Sequence, residues 1–254
     1  MRKPSLAGLM IVGCAIGLQA AQKQVDPSMG IVLKNRFVRL EFEPKGMGLS
    51  AMVDLQSGVN HIQPVTGKHL LWQVTLGRGT QREKLDNNYA PCNYARIEKL
   101  PRGGQRAILE WNDLHWWLQD RILSIRATVD LPPDSGIAEW RISVSNNNDY
   151  WGMWSVSFPY VNGLPESGKY DIARPIYGTG GQLLKAWRNK VEGRYPSGGW
   201  PIQLVSLTRT GSRDSVYFAT KDPDGSAKDF VAEPTDSSMA IVHYAENMGV
   251  PGSD

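Results

Sequence analysis

The sequence predicts an all-β fold, an antiparallel β-sandwich with little helix. Short apolar runs recur along the chain, and glycine, proline and asparagine separate them, as in domains built from strands and turns. Several runs alternate apolar and polar residues, which is the period of a strand with one face in a core. No segment carries a long, capped apolar stripe with the period of a helix. We therefore expect eight or more antiparallel strands in one large domain over residues 31–254, preceded by a linker at 22–30.

The first hairpin of this sandwich is predicted immediately after the linker. Val38, Leu40 and Phe42 alternate with charged residues, so one face of this strand should lie in a core. A glycine-containing turn follows, and Leu49–Val53 is the returning strand. The chain therefore begins its domain with an antiparallel pair.

Further strands are predicted from alternation and from the turn residues that bound them. They are Leu70–Leu76, Ala107–Trp111, Leu114–Leu118, Ile122–Leu131, Ala138–Val144, Trp154–Val161, Leu204–Leu207, Val216–Thr220 and Ala240–Tyr244. The second and third of these should pair as a hairpin around Asn112 and Asp113, and the two strands that flank Gly211 should pair as another. A weak helix is predicted at Gln182–Lys190.

The first 21 residues have the pattern of a secretory signal peptide. Arg2 and Lys3 form a short positive region, Leu6–Leu18 is apolar, and two alanines then offer a cleavage site. The apolar run is short for a membrane span. The alternative is a lipoprotein signal, because residues 11–14 resemble the lipoprotein box in which Cys14 is lipidated. Both alternatives predict export to the periplasm, the outer membrane or the exterior, with membrane contact only through such a lipid anchor.

Composition argues against several classes of function. The net charge is +3 and both signs are interspersed, so no basic run or stripe indicates a nucleic acid partner. The four histidines are scattered without the spacing of a metal site, and no phosphate-binding loop is visible, so we predict no metal and no cofactor. Cys92 has no neighbour that would activate its thiolate, and we expect a half-buried structural residue.

Aromatic residues supply the candidate sugar contacts. The chain has nine tryptophans, and the apolar faces and polar edges of Trp and Tyr suit sugar rings. Four residues in segments rich in Asn, Arg and Gly are predicted to bind substrate: Trp151, Trp187, Tyr195 and Trp200. Three others lie on predicted strands and are expected in the core: Trp72, Trp140 and Trp154.

No catalytic residue is predicted in this chain. Glycoside hydrolysis needs two carboxylates that flank the bond, and no pair among the many Asp and Glu residues forms a motif. Asp222 and Asp224 are expected to form a turn. A sugar epimerase would need a histidine acid and a carboxylate base; His115 or His243 could be the acid, but the sequence pairs neither with a base.

The opening hairpin resembles the galactose-mutarotase-like β-sandwich with which bacterial carbohydrate-active enzymes often begin. The residues that fit its pattern are Asn35, Val38, Leu40, Phe42, Gly48, Leu49, Met52, Asp54, Ser57 and Gly58. Four later strings, at 149–160, 195–203, 216–230 and 243–252, are similar to consecutive landmarks of one bacterial family. Its members are large secreted proteins related to glycoside hydrolases, described as a domain of unknown function.

The resemblance implies that the sandwich is N-terminal and precedes a catalytic barrel. The chain is then expected to be truncated before that barrel, which would be its partner together with carbohydrate. Three hypotheses remain: an accessory, non-catalytic sandwich of an exported glycoside hydrolase-like protein, a stand-alone carbohydrate-binding lipoprotein, and an aldose epimerase-like enzyme. The first predicts a contiguous exposed apolar patch for the docking of the barrel.

Overall fold

Antiparallel strands make up almost all of the computed structural model. It describes residues 22–116, 119–165, 169–174, 181–185, 187–196, 200–234 and 237–244. The predicted signal peptide, Cys14 and the last ten residues therefore lie outside the described residues. The helix of the described part is confined to two short 3₁₀ segments, Pro27–Met29 and Pro101–Gly103, which confirms the predicted all-β class.

Eighteen strands are described. In chain order they are β1 (Gln22–Val25), β2 (Ile31–Lys34), β3 (Val38–Phe42), β4 (Leu49–Asp54), β5 (Gln73–Arg78), β6 (Gln81–Asp86), β7 (Tyr94–Lys99), β8 (Gln105–Trp116), β9 (Gln119–Leu131), β10 (Glu139–Asn146), β11 (Gly152–Val161), β12 (Tyr170–Arg174), β13 (Gln182–Leu184), β14 (Val191–Tyr195), β15 (Leu204–Arg209), β16 (Ser215–Ala219), β17 (Lys228–Glu233) and β18 (Ser238–Tyr244).

The described strands form four antiparallel sheets. Their orders are β1-β7-β8-β9-β10, β14-β17-β18-β11-β5-β6, β13-β12-β15-β16 and β2-β3-β4. One hydrophobic cluster joins them, and it includes Leu33 of β2, Leu76 of β5, Leu109 of β8 and Ile172 of β12. The sheets therefore pack as layers of one β-sandwich around a shared core.

The predicted opening hairpin is confirmed. Val38, Leu40 and Phe42 are buried while the residues between them are half-exposed, and β3 pairs antiparallel with β4. The predicted hairpin around Gly211 is also present as β15 and β16. In both cases the alternation of apolar residues determined which face of the strand enters the core.

Two local predictions are wrong. Asn112 and Asp113 do not form a hairpin turn, because β8 runs through them and pairs with β9, with a register shift between Trp111 and Leu114. Asp113 adopts a positive φ of 53°, which fits a bulge that adds residues to one strand. The helix predicted at Gln182–Lys190 is also wrong, because its first residues form β13 and pair with β12.

The segment expected to be a linker, 22–30, contains a strand. β1 pairs with β7 at the edge of the five-stranded sheet. Asp26 then caps the first 3₁₀ segment by accepting from the Ser28 N–H at 2.9 Å. This part of the chain is therefore tied to the sandwich by backbone hydrogen bonds.

Candidate functional site: the polar face of the six-stranded sheet

The six-stranded sheet has one face in the core and one lined by polar side chains. On β5, Val74 and Leu76 are fully buried, so the alternation turns Gln73, Thr75 and Gly77 to the opposite face. The same alternation on β17 buries Phe230 and turns Asp229 outward. Hydrogen-bonding side chains thus converge on one side of the sheet.

Strand register aligns these side chains in two rows across the sheet. The longer row is Arg194, Asp229, Val242, Ser157, Gln73 and Asp86. The second row is Tyr244, Ser155, Thr75 and Lys84. We call these ten residues, with Arg82 and Trp154 beside them, the polar face. Short side chains lie at its centre and long ones towards both edges.

Arg194, Asp229 and Tyr244 form a hydrogen-bonded group at one end of the polar face. The guanidinium of Arg194 donates through Nε at 2.8 Å and Nη2 at 3.1 Å to the two oxygens of Asp229. The Tyr244 hydroxyl donates to Asp229 Oδ2 at 2.6 Å. Such a bidentate pair fixes the orientation of both partners, so the group presents a preoriented array to a ligand.

The charges of this group follow from its contacts. The hydrogen bond to Asp229 raises the pKa of Arg194. Burial works to raise the pKa of Asp229, but hydrogen bonds from Arg194 and Tyr244 outweigh it and lower that pKa. Burial, followed by the bond to Asp229, raises the pKa of Tyr244. At neutral pH the group therefore holds a cation, an anion and a neutral phenol.

Trp154 and Arg82 lie together at the other end of the polar face. The Arg82 guanidinium carbon is 3.5 Å from the centroid of the Trp154 ring, a cation–π contact. Both pack over Gly77, where an added Cβ would be 3.2 Å from Arg82 Nη1 and 3.5 Å from Trp154 Cε3. Arg82 also donates to the carbonyls of Gly79 and Gln81, which holds its side chain over the ring.

The prediction that Trp154 lies in the core is therefore wrong. Met153 pairs with Leu76 and Ser155 pairs with Thr75, so Trp154 is an extra residue at a shift in register. A bulge of this kind redirects one side chain. Trp154 is half-exposed as a result.

The structure does not support a sugar-stacking role for three of the four predicted contacts. Trp187 and Trp200 are each 2% exposed and Trp151 is 9% exposed. The Trp200 ring stacks on Phe230 with centroids 5.3 Å apart and planes 2° apart. Its faces are thus covered by protein.

Tyr195, the fourth predicted contact, is half-buried at the end of β14. It pairs with Lys228 in register, and the Lys228 ammonium is 5.1 Å from its ring centroid. Since Lys228 is fully buried, this places Tyr195 on the core side. None of the four predicted residues belongs to the polar face.

Strands β6, β14 and β17, which carry about half of the polar face, were not predicted. The other polar-face residues lie on predicted strands, but nothing in the sequence set them apart as a site. Lys228–Glu233 does alternate, and its inward residues are buried, but two inward positions carry Lys and Ala. The sequence signal for β17 was the alternation of polar Asp229 with apolar Phe230. This signal is weak, because charged residues lie close to it in the sequence.

The histidines that might serve an epimerase lie elsewhere. His243 pairs in register with the buried Lys228, and burial and then Lys228 lower its pKa. His115 is exposed on β8. No residue of the polar face, as the structure describes it, is a histidine. Across the described ranges no cluster of three His, Cys, Asp or Glu side chains is arranged to hold a metal ion.

The structure also bears on the reactivity of Cys92 and on the turn predicted at Asp222. Burial raises the pKa of the Cys92 thiol to about 11, so this residue is not an activated nucleophile. Asp222 accepts from the backbone N–H groups of Asp224 and Ser226, which confirms the predicted turn. In the part of the chain that is described, no helix has the length and apolar character to cross a membrane.

Comparison with solved structures finds proteins of a similar fold. A galactose mutarotase-like protein from Lactobacillus casei has a TM-score of 0.50 and 12% identity, over 88% of this chain and 90% of that chain. A galactose mutarotase related enzyme from Lactobacillus acidophilus has a TM-score of 0.49 and 12% identity, over 88% and 89%. No family model and no curated protein matches the sequence. The first likeness shows the fold: the chain folds as a galactose mutarotase-like β-sandwich.

Proposed function

We propose that this chain is an accessory, non-catalytic β-sandwich of an exported protein that acts on carbohydrate, and that its polar face contacts the sugar. The observation that carries the proposal is the pair of polar rows on a fold of the galactose mutarotase-like kind. Sugar sites combine oriented hydrogen-bonding groups with an aromatic surface. Arg194, Asp229 and Tyr244 offer the oriented hydrogen-bonding groups, and Trp154 offers the aromatic surface.

A second surface supports the accessory role. The exposed face of the four-stranded sheet carries Leu183, Leu204 and Tyr217, which are 54%, 39% and 46% exposed. Leu183 and Tyr217 lie in one row across the sheet, with Ala173 and Ser206 between them. We call this the outer apolar face. Exposed apolar surfaces of this kind are typical of interfaces, and the proposed occupant is a catalytic barrel of the same polypeptide.

The docking proposal has a direct test in the gene and the protein. Genomic sequence downstream of codon 254 should continue the reading frame into a barrel-encoding segment. The separately expressed barrel should then bind this domain in sedimentation experiments, and Leu183→Asp should weaken the binding. A stop codon at this point, or the absence of association, would refute the accessory role.

Two alternatives make different predictions. A stand-alone carbohydrate-binding lipoprotein would bind sugar without a further domain and would carry lipid on Cys14, which mass spectrometry of the membrane fraction detects. An aldose epimerase would interconvert the anomers of a free aldose. The polar face offers the epimerase a carboxylate in Asp229, but that group is already paired with Arg194.

Calorimetry of the purified domain against a panel of plant and host oligosaccharides separates these functions. The proposal predicts binding without turnover of free aldoses. Anomer interconversion above the rate without protein, followed by polarimetry, would favour the epimerase. If no sugar binds at millimolar concentration, the polar face is not a carbohydrate site.

A further inference from the structure

A large cavity lies apart from the polar face, among loops at the ends of several strands. Its volume is about 970 Å³. Its walls come from residues 57–60 and 63–66, Leu70, the segment after β11, residues at or just before the starts of β12 and β18, and Arg209 at the end of β15. Ligand cavities in proteins commonly have about 300–1,000 Å³. We call this space the loop cleft.

The described lining of the loop cleft is cationic. Arg209 and Lys169 line it, and no Asp or Glu is among its described lining residues. Both cationic residues are exposed. The remaining polar lining consists of neutral amides and hydroxyls, among them Asn60, Gln63 and Thr66. A cleft of this composition favours a ligand that carries negative charge.

Two acidic residues near the cleft, Asp54 and Asp214, accept hydrogen bonds from residues of their own turns. Asp54 accepts hydrogen bonds from the N–H groups of Gln56 and Ser57 and from the Ser57 hydroxyl. Asp214 accepts from the Ser212 hydroxyl at 2.6 Å. Among the described residues, no carboxylate lies within ion-pair distance of the Arg209 guanidinium. Arg209 thus retains its donors for a ligand.

Tyr170, one of the residues that line the cleft, forms a neutral pair with His61. The Tyr170 hydroxyl lies 2.9 Å from His61 Nδ1. Burial lowers the pKa of His61 and raises the pKa of Tyr170. The phenol therefore adds no negative charge that would compete with a ligand for Arg209.

We propose that the loop cleft binds the acidic group of a charged sugar residue, a carboxylate or a sulfate ester, with Arg209 as the principal contact. The planar guanidinium matches either oxyanion with two parallel hydrogen bonds. The neutral amides and hydroxyls would receive the sugar hydroxyls. This site is independent of the polar face, since the two share no residue.

The test is calorimetry with trigalacturonate, a sulfated disaccharide, a neutral trisaccharide and sodium sulfate. We expect one acidic sugar to bind more tightly than the neutral trisaccharide, and to bind more weakly at higher salt. The carboxylated and sulfated probes distinguish the two sources of charge. Equal binding of acidic and neutral sugars, no binding at millimolar concentration, or binding of inorganic sulfate alone would overturn the proposal.

Variants assign the binding to Arg209. Arg209→Gln should weaken the affinity for the acidic sugar about tenfold or more, because a hydrogen bond between charged groups is lost. Arg213→Gln is the matched control, since Arg213 is an exposed arginine of the same hairpin that does not line the cleft. Equal affinities of the two variants would refute the assignment. Arg194→Gln on the polar face should leave this binding unchanged, so the test does not depend on the proposed function.

Discussion

Lys228 is the least expected side chain of the core. It is 0% exposed, and its ammonium donates to Asp222 Oδ2 at 2.5 Å and to Gln203 Oε1 at 3.0 Å. A buried ion is tolerated only with such partners. The turn that contains Asp222 is therefore held to β17 by a charge that has no access to water.

Removal of Asp222 should destabilise the domain strongly. Asp222→Ala leaves the Lys228 ammonium buried without its counter-ion, and we expect a loss of about 3–5 kcal/mol in the free energy of unfolding. Glu192→Ala, in the exposed pair with Lys190, is the control and should cost less than about 1 kcal/mol. Similar losses for both variants in urea titrations would show that the counter-ion of the buried Lys228 has no special weight.

The ion pair between Lys228 and Asp222 should make the free energy of unfolding depend on pH in the acidic range. The hydrogen bond from Lys228 lowers the pKa of Asp222 from its usual value near 3.8 to about 2. Because the folded pKa is the lower one, this contribution is present above about pH 4 and is lost as the pH falls towards 2. The unfolding free energy of Lys228→Met should decline less over this range than that of the wild type. Parallel declines would contradict this account.

Two tryptophans should differ in their contribution to stability. Trp72 is fully buried, and Trp72→Ala should cost about 3–5 kcal/mol. Trp140 was expected to be buried, but it is half-exposed on β10 and packs against Phe42 and Phe158. Trp140→Ala should cost less than Trp72→Ala, because part of its ring already contacts water. The reverse order in denaturant titrations would contradict the packing.

At the scale of elements, the sequence predicted strands wherever apolar and polar residues alternate cleanly. β3, β4, β9 and β10 were found in this way. β17 was missed because Lys228 occupies an inward position, where alternation predicts an apolar residue. β13 was taken for a helix because a short apolar run fits the helix period and the strand period equally well. In the structure its pairing with β12 makes it a strand.

Close packing of Trp200 against Gly193 of β14 gives a test at this scale. A Cβ on Gly193 would lie 2.4 Å from Cε3 of Trp200, so Gly193→Ala must displace the ring from Phe230. We expect a loss of about 1–3 kcal/mol and a change in tryptophan fluorescence. Gly136→Ala is the control, because its Cβ would meet Phe37 at an ordinary 3.6 Å. An unchanged stability of Gly193→Ala would refute the contact.

At the scale of the whole molecule, the fold class could be predicted and the candidate site could not. Alternation and turn residues are local signals, and they were enough for an antiparallel sandwich. The polar face depends on the register of six strands, which brings Arg194 next to Asp229 from segments 35 residues apart. The aromatic residues that looked available in the sequence, such as Trp200, were instead needed to fill the core.

The central claim is that the polar face of the six-stranded sheet binds carbohydrate. The most direct measurement is the calorimetric affinity of Arg194→Gln and Trp154→Ala for the oligosaccharide that binds the wild type most tightly. We predict that each variant weakens binding about tenfold or more, while Tyr217→Ala on the outer apolar face leaves it unchanged. Unchanged affinity of both polar-face variants would contradict the claim.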